Sequence, residues 1–522
     1  MSAPREIELK LEVPPDYLPR LTEGGPLKRA TPAGRNATRL VSVYFDTDKL
    51  KLRENGLSLR VRRIGGRLVQ TVKRENGAGS VLFARDEWEQ DIPTRQPDLN
   101  AVRDTVLGPL RKKKLRRALR PVFETRVRRK VFDVQSGDSK VEVAIDRGSV
   151  EAGRKSSPIC ELELELKEGR PADLFRLAKT LAQDAPVRLA VESKADRGYA
   201  LLGKGKPRAV KAAPVALSPD LDARSAFQII ARACLHQAVV NQPVMLLGDP
   251  SGLHQMRVGL RRLRAAISLF SSLLGDQQTK AVKAELKWIM GELGPARELE
   301  IFLTRVVNPA AKGRRDGQLA VLGQELQRRR KAALARARTA AQSERLRTLC
   351  LDLAAWIEAG DWTEIGNDLV QLHQQQNIAE AAAEQLQRRR KKIVRRGRHL
   401  ARLDGKDRHR LRIDVKKLRY AAEFFAGAFP RKKQTKRWRD FVAALERLQD
   451  ALGDLNDIRV HEQLSEQFVE HDDSGGKLLR VRTRKAFAAG RLSGREEARL
   501  APLMREARQA YSAFAKAKPF WG

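Results

Sequence analysis

The hydrophobic pattern of this 522-residue chain changes its period once, close to residue 204. Before that point apolar and polar residues alternate in short segments, as side chains on the two faces of a β-strand do. After residue 220 the apolar residues recur at the helical spacing of about 3.6. The segment 204–219 is rich in Lys, Pro and Ala and follows neither period. We therefore predict a β domain at 1–203, a linker at 204–219 and an all-α domain at 220–518.

Seven segments of the N-terminal part alternate and are separated by Gly, Asp and Asn, which favour turns. Acidic and basic segments both place their charges at every second residue, which suits a sheet that closes with these faces inside. We therefore predict an antiparallel, barrel-like sheet. The predicted strands are Glu6–Val13, Thr38–Phe45, Leu57–Arg63, Leu68–Lys73, Arg126–Val134, Val141–Ile145 and Glu161–Lys167.

The charge balance predicts a polyanionic partner. Lys and Arg number 103 against 64 Asp and Glu, which gives a formal net charge of +39. Nucleic acid, an anionic membrane and phosphate polymer are the candidate polyanions. Only 5% of the residues are aromatic, and no groove-reading or RNA-binding motif occurs, so we expect no specific nucleic acid partner.

The sequence also suggests a compartment. No stretch approaches 18 uninterrupted apolar residues, and the first residues lack the apolar core of a signal peptide. Cys160, Cys234 and Cys350 lie far apart without metal-binding spacing, which favours a reducing environment. We expect a soluble, cytoplasmic protein without a membrane partner.

Charged residues at spacing two define the candidate site. Glu6, Glu8 and Lys10 share one strand face, and Glu161, Glu163 and Glu165 share another. One such strand alone could be the solvated face of an antiparallel sheet. The further pairs Arg60 with Arg62 and Arg126 with Arg128 favour a charged interior instead. There carboxylates would hold divalent cations, and Arg and Lys would bind phosphate oxygens.

Eight segments in order resemble the CYTH family of triphosphate tunnel metalloenzymes. They are Glu6-x-Glu8-x-Lys10, Tyr44-Phe-Asp-Thr47, Leu59-Arg-Val-Arg62, Thr71-Val-Lys73, Arg85-x-Glu87, Glu142-Val-Ala-Ile-Asp146, Glu161-Leu-Glu-Leu-Glu165 and Ser193-Lys194. The resemblance implies an eight-stranded antiparallel β-barrel tunnel that acts on triphosphates with Mg²⁺ or Mn²⁺.

The resemblance also implies residue roles. The implied metal ligands are Glu6, Glu8, Asp146, Glu161, Glu163 and Glu165. The implied triphosphate contacts are Lys10, Arg60, Arg62, Lys73, Arg126, Arg128 and Lys194. Glu6, Glu8 and Lys10 are the implied catalytic residues, and a second metal ion or a Glu would position the water.

Some residues keep a structural alternative. Asp46 can cap a turn, because short polar side chains favour turns, and Glu142 can pair with a neighbouring strand. Arg85 and Glu87 fit either role. Cys160 suits a small buried hydrophobe better than a nucleophile.

The helical part contains an internal repeat. His254-Gln-Met-Arg-Val-Gly-Leu-Arg-Arg-Leu-Arg264 matches His409-Arg-Leu-Arg-Ile-Asp-Val-Lys-Lys-Leu-Arg419. Each copy is followed by a Leu-Gly segment, Leu293–Glu298 in the first and Leu452–Asp457 in the second. A half-length repeat of this kind predicts two related helical bundles.

Each repeated helix separates a basic face from a packing face. At about 100° per residue, the basic residues of one copy fall within about a quarter of the circumference. A solvated stripe would explain one such helix, but two copies would form a basic groove that a polyanion stabilises. The predicted groove residues are His254, Arg257, Arg261, Arg264, His409, Arg412, Lys416 and Arg419.

These segments resemble the CHAD domain, the conserved histidine α-helical domain. The resemblance implies binding of inorganic polyphosphate. Pro295 and Glu298 of the first Leu-Gly segment stand where the second has Asp454 and Asp457, so equal roles for the two segments are not expected. Further basic clusters at 388–392, 395–398 and 431–433 either widen this surface or are solvated helix.

Together the two resemblances predict an inorganic triphosphatase, a phosphoanhydride hydrolase, joined to a polyphosphate-binding module. Hydrolysis of thiamine triphosphate, reaction with ATP as a triphosphatase or cyclase, and polyphosphate binding without turnover remain alternatives. Association with polyphosphate granules is a further expectation.

Overall fold

The computed structural model describes residues 5–32, 37–74, 82–99, 113–203, 207–311, 317–363, 368–470 and 479–522. The strands of this part of the chain all lie before residue 190. They are β1 Arg5–Glu12, β2 Thr31–Pro32, β3 Thr38–Asp46, β4 Leu57–Ile64, β5 Arg67–Arg74, β6 Leu82–Asp91, β7 Arg120–Ser136, β8 Ser139–Ala152, β9 Lys155–Glu168 and β10 Arg188–Leu189.

Short helices interrupt the strands, and long helices form most of the chain after residue 222. The helices are α1 Leu18–Glu23, α2 Gly25–Lys28, α3 Lys51–Glu54, α4 Lys113–Arg117, α5 Pro171–Asp184, α6 Lys194–Leu202, α7 Ala223–Val240, α8 Gln242–Leu246, α9 Pro250–Leu269, α10 Gln277–Phe302, α11 Asn308–Ala311, α12 Gly317–Gln342, α13 Glu344–Ala359, α14 Asp368–Gln375, α15 Ile378–Gly397, α16 Gly405–Phe424, α17 Lys432–Glu470 and α18 Leu479–Lys516. A π-helical stretch, Leu303–Val307, follows α10. Within the described ranges no helix is long and apolar enough to cross a membrane.

Eight strands pair in a ring, and every pairing in it is antiparallel. The order is β1-β6-β5-β4-β3-β7-β8-β9, and β9 pairs back onto β1, where Lys10 lies opposite Glu163. The two-residue strands β2 and β10 attach to β7 and β1. The predicted antiparallel, tunnel-like sheet followed by a helical region is confirmed. All seven predicted strands form, and β6 completes the ring.

The two faces of the ring differ because alternate residues differ in polarity. On one face Leu9 of β1 and Leu164 of β9 are fully buried, and α5 packs against both strands with its own Leu174 and Leu181. The opposite face, which we call the interior, carries the acidic and basic residues. The apolar face supplies the hydrophobic stabilisation that allows charged groups to be buried on the other.

Helix α6 packs against β7, β8 and β9 on the interior face of the ring. Its Tyr199 lies edge-on to Phe123, with ring centroids 5.1 Å apart, and Phe123 stacks on Tyr44 at 4.6 Å. Tyr199 also donates a hydrogen bond of 3.0 Å to Asp46. This aromatic cluster fills part of the interior and leaves the charged residues together in the remainder.

Asp46 is a turn residue in the structure. Its carboxylate accepts hydrogen bonds from the backbone N–H groups of Thr47, Leu52 and Arg53 at 2.7–3.1 Å. These bonds begin α3 and fix the connection from β3 to β4. The structural alternative for Asp46 is therefore supported.

The chain divides into two compact units, and the first extends beyond the predicted β domain. This N-terminal unit comprises Met1–Ala212, Arg232–Leu247 and Gln342–Asp361. Helix α13 packs on α5, and Arg232 forms an ion pair with Glu358 of α13. The predicted boundaries at 203 and 220 were drawn from composition, and no such pattern reveals that later helices pack on this unit.

The second, helical unit comprises Ala213–Ala231, Gly248–Ala341 and Trp362–Gly522. The repeated helices α9 and α16 pack against each other, and each packs on the long helix that follows it, α10 or α17. Leu263 and Leu418 are fully buried, and Phe270 meets Phe425 at 5.9 Å. These repeat-related residues therefore form the packing faces that the periodicity predicts.

The tight fit of α6 gives a stability prediction. A Cβ atom at Gly198 would stand 2.1 Å from the Phe123 ring, so we expect Gly198→Ala to destabilise the N-terminal unit by about 1–3 kcal/mol through overpacking. Urea unfolding followed by circular dichroism measures this. Gly66→Ala is the matched control, because nothing lies within 4 Å of its added carbon, and an equal loss in both variants would contradict the prediction.

Candidate functional site

Three carboxylates from two neighbouring strands meet in the interior. Asp146 of β8 lies opposite Glu161 of β9, and Glu163 is two residues farther along the same face. One oxygen from each lies within 4.8 Å of the others, and all three residues are buried. We call these residues the carboxylate trio.

The trio fits a hard divalent cation. Mg²⁺ and Mn²⁺ prefer oxygen ligands, and three carboxylates can converge on one such ion. Glu161 is fully buried, and its Oε2 atom has no hydrogen bond among the described residues. Arg197 Nη2 lies 3.2 Å from this oxygen without donating a hydrogen bond to it, so the oxygen keeps capacity to bind a cation.

Lys194, the first residue of α6, contacts all three carboxylates. Its Nζ atom is 2.7 Å from Asp146 Oδ2 and 2.8 Å from Glu163 Oε1, and it also bonds Glu161 Oε1. The surrounding carboxylates raise the pKa of Lys194 above its ordinary value, although burial opposes this. The lysine is therefore an ammonium ion in the site.

Two further cations bind the trio from neighbouring strands. Arg129 of β7 donates to both oxygens of Asp146, at 2.7 and 2.6 Å, and also bonds Glu163. Lys10 of β1 lies 2.6 Å from Glu163 and 3.1 Å from Glu8. Burial alone would raise the pKa of Glu163, but these cations and Lys194 hold it well below its ordinary value. Glu163 is therefore ionised despite its burial.

A second group of basic residues extends from β4 into β5. Arg62 donates a 3.1 Å hydrogen bond to Ser42, and burial, then Arg60 and Arg129, lower its pKa to about 10. Glu87 lies 3.5 Å from Arg60 and 2.6 Å from Lys73. Cations crowded together in this way would be stabilised by a bound anion.

The structure corrects the expectation for β7. Arg126 and Arg128 do share a face, but it is the outer face, where both are exposed and Arg126 pairs with Glu124 and Glu151. Arg129 is the interior cation of this strand, and sequence analysis missed it. Since 128–130 are all basic, alternation alone does not select the inward residue.

The remaining predicted acidic residues take different positions. Glu8 is buried beside Lys10, whereas Glu165 is half-buried and bonds Lys167 at 2.6 Å, so it stands outside the trio. Glu142 lies 3.7 Å from the same lysine, which supports its structural alternative. The backbone of Glu6 lies on β1, but its side chain is outside the described part of the structure, as is that of Arg85.

In the helical unit, the two repeated helices bring their basic residues together. Arg261 of α9 donates a 2.9 Å hydrogen bond to Tyr420 of α16. Arg261 also interacts with Arg412 and Lys416 of α16, and with burial these charges lower the pKa of Lys416 to about 7. We call this surface the basic groove. Arg264, at the edge of the set, is exposed.

The two copies differ around their histidines. His409 Nδ1 is 2.6 Å from the side chain of Asn456. In the first copy burial, then Arg297, Arg261 and Arg257, lower the pKa of His254 to about 4. Arg297, which the sequence analysis did not select, occupies the position of Asn456 in the repeat.

The two Leu-Gly segments share one contact, between their glycine and an arginine of the repeated helix. A Cβ atom at Gly294 would stand 3.5 Å from Arg257, and one at Gly453 would stand 3.9 Å from Arg412. In both copies the glycine therefore stands beside the repeat-related arginine, at a distance where an added Cβ atom would make an ordinary van der Waals contact. The copies differ beyond this, because Arg305 pairs with Asp454 and Asp457 of the second segment only. Arg419, at the end of the second copy, donates a 2.9 Å hydrogen bond to Gln449.

Known proteins resemble both parts of the chain. The CYTH domain family model matches residues 4–199, and the CHAD domain family model matches residues 229–466. An inorganic triphosphatase of Haemophilus influenzae is 32% identical over 201 residues, which are 38% of this chain and 56% of that protein. The chain therefore spans a little over half the length of this curated relative.

Solved structures resemble each part separately. The CHAD domain from the plant Ricinus communis is 27% identical, with a TM-score of 0.48, and the match covers 59% of this chain and 97% of that one. A putative adenylyl cyclase from Hippeastrum, reported to have a dominant triphosphatase activity, is 19% identical, with a TM-score of 0.30, and covers 37% and 95%. Both scores lie below 0.5, so the assignment rests on the family models. The chain therefore contains a CYTH domain at residues 4–199, followed by a CHAD domain at residues 229–466.

Proposed function

We propose that the N-terminal unit hydrolyses inorganic triphosphate to diphosphate and phosphate with Mg²⁺ or Mn²⁺. The observation that carries this proposal is the carboxylate trio, buried in the same interior as Arg60, Arg62 and Lys73. A cation-binding group beside crowded arginines suits a substrate that is itself a metal-bound polyanion. The similarity to an inorganic triphosphatase supports the same substrate class.

We assign different roles in phosphoryl transfer to different residues of the interior. Arg60 and Arg62 donate hydrogen bonds to the phosphate oxygens. Lys73 neutralises the end of the triphosphate that lies near Glu87. The trio would hold the metal ion, which would neutralise charge on the phosphates. Glu8 has acceptor capacity beyond its contact with Lys10, and we assign it the orientation of the attacking water.

The alternatives are less well supported. A protein that only bound polyphosphate would gain nothing from three buried carboxylates, because they weaken the attraction for an anion. Thiamine triphosphate and ATP carry an organic group in addition to the phosphates, and the contacts described here are all suited to phosphate and metal. Inorganic triphosphate therefore remains the proposed substrate.

We further propose that the basic groove of the helical unit binds inorganic polyphosphate. Arg257, Arg261 and Arg412 lie together there, and the Nε atom of Arg412 is buried without a hydrogen-bond partner among the described residues. Phosphate oxygens would satisfy these donors and relieve the repulsion between them. Cytoplasmic location and association with polyphosphate granules stay predictions of this proposal.

The first functional prediction tests the enzyme. The wild type should release phosphate from inorganic triphosphate with Mg²⁺ or Mn²⁺ but not with EDTA. Glu6→Gln/Glu8→Gln should lower this rate at least about 100-fold, because it neutralises two of the three acidic residues of β1. Phosphate release is measured with inorganic triphosphate, ATP and thiamine triphosphate in parallel. A folded wild type that releases none from any of them would leave only the binding role.

The second prediction separates the two faces of β7. Arg129→Gln should lower kcat/KM for inorganic triphosphate about 100-fold, since Arg129 orients Asp146 and Glu163 in the interior. Arg126→Gln, on the outer face of the same strand, should stay within about twofold of the wild type. Steady-state kinetics on both variants, with circular dichroism to verify folding, decides this. Equal losses would refute the assignment of faces.

The third prediction concerns the pH dependence of polyphosphate binding. With a pKa of about 7, Lys416 is partly neutral in the free protein, and a bound polyanion favours its charged form. Affinity should therefore fall as pH rises from about 6 to about 8.5, by up to about tenfold. Arg412 and Arg419 on α16, Arg261 on α9 and Asp457 on α17 are the charged groups that act on Lys416.

Lys416→Arg should remove most of this slope, because arginine stays charged throughout that range. Titration calorimetry with long-chain polyphosphate, in which chain ends contribute little, measures the affinity. A slope that persists unchanged in Lys416→Arg would show that another group is responsible.

A further inference from the structure

The ammonium group of Lys194 lies where the three carboxylates of the trio converge. It bonds Asp146, Glu161 and Glu163 at the same time, through one oxygen of each. Its side chain is only 8% exposed. A cation surrounded by one oxygen from each of three carboxylates has the kind of environment that a bound divalent ion would have.

The charges around this position are already balanced. Four cations contact the trio: Lys194, Arg129, Lys10 and Arg197. Because Lys10 also pairs with Glu8, and Arg197 and Arg188 with Glu12, five carboxylates face five cations in the whole cluster. A divalent cation added to this neutral cluster would leave two uncompensated positive charges in a buried site, which is strongly unfavourable. One of the resident cations must therefore move away when a metal ion enters.

Lys194 is the cation whose departure costs least. After it leaves, Asp146 and Glu163 keep their bonds to Arg129, and Glu161 keeps Arg197, whose Nη2 atom is 3.2 Å from Glu161 Oε2. No carboxylate of the trio is then left without a cationic partner. Loss of Arg129 would break bonds to both oxygens of Asp146.

The backbone at Lys194 is held by hydrogen bonds that do not involve its side chain. Ser193 Oγ accepts a hydrogen bond from Asp196 N at 3.1 Å, and Asp196 Oδ2 accepts one from Ser193 N at 2.8 Å. This capping box fixes the start of α6. The four-carbon stem of the lysine can then swing the ammonium group without moving the helix.

We propose that Lys194 is a tethered counter-ion of the trio, which a divalent metal ion displaces. The displaced ammonium group turns toward the phosphates of the substrate, so that metal loading and completion of the anion site are one event. This inference rests on the metal-binding role proposed for the trio. It implies that Lys194 opposes metal binding in the absence of substrate, the reverse of what its place among substrate-binding residues suggests.

The test uses the full chain, Mn²⁺ as the probe and no substrate, with free Mn²⁺ measured by electron paramagnetic resonance. Lys194→Gln removes the competing charge and should bind Mn²⁺ about tenfold more tightly than the wild type. Lys194→Arg keeps the charge and should show no gain. Lys140→Gln is the matched control, since the exposed Lys140 pairs with Glu168 and should leave Mn²⁺ affinity unchanged.

Melting temperatures supply a second readout. Lys194→Gln leaves the trio short of one cation, so its melting temperature without metal should fall, and Mn²⁺ should raise it more than in the wild type. Should this variant and Lys194→Met both unfold without metal, they should refold at Mn²⁺ concentrations too low to saturate the wild type. Failure to refold would contradict the proposal.

The outcomes separate this inference from the function on which it rests. Mn²⁺ binding that disappears in Glu163→Gln and strengthens in Lys194→Gln supports both. Binding that disappears in Glu163→Gln but is equal or weaker in Lys194→Gln overturns the counter-ion role alone. Binding that persists in Glu163→Gln overturns the metal site itself, and the counter-ion role with it.

Discussion

The burial of three carboxylates in one small volume is the constraint on which the N-terminal unit depends. Unpaired charges in a protein interior are costly, so the trio requires cations from several directions. They come from β1, β7 and α6 as Lys10, Arg129 and Lys194. Elements far apart in the chain are thus joined electrostatically at one point, and only an arrangement that brings them all together satisfies the charges.

The free-energy cost of burying such a cluster is offset because the other face of the same strands is apolar. Leu162 and Leu164 alternate along β9 with the glutamates that point inward, so they lie on the packing face. Both leucines are fully buried. The aromatic contacts of α6 then exclude water from one part of the interior, which strengthens the electrostatic interactions in the rest. Apolar burial therefore stabilises the geometry that chemistry at the trio would require.

Sequence patterns predicted the elements of this fold better than its contacts. Period-two alternation and the motif order identified the strands and most interior residues, because both properties are local. They failed at β7, where three consecutive basic residues fit either face and only the pairing of Arg129 with Asp146 decides between them. The sequence patterns also did not predict the packing of α13 against α5, because it depends on contacts between segments far apart in sequence. Long-range pairing of this kind leaves no periodic signal in one chain.

The helical unit solves the opposite electrostatic problem with a similar division of faces. Its buried side, with Phe270 against Phe425, holds α9 and α16 together, while the same helices bring Arg261 and Lys416 into mutual repulsion. Here, within the part of the chain that the structure describes, no set of buried carboxylates neutralises the cations, and burial together with this imbalance lowers the pKa of Lys416. In the N-terminal unit the chain supplies both signs of charge, and in the helical unit it supplies mainly one. A trio that balances its own cations suits binding and release of a metal with its substrate, whereas an unbalanced groove suits retention of a polyanion.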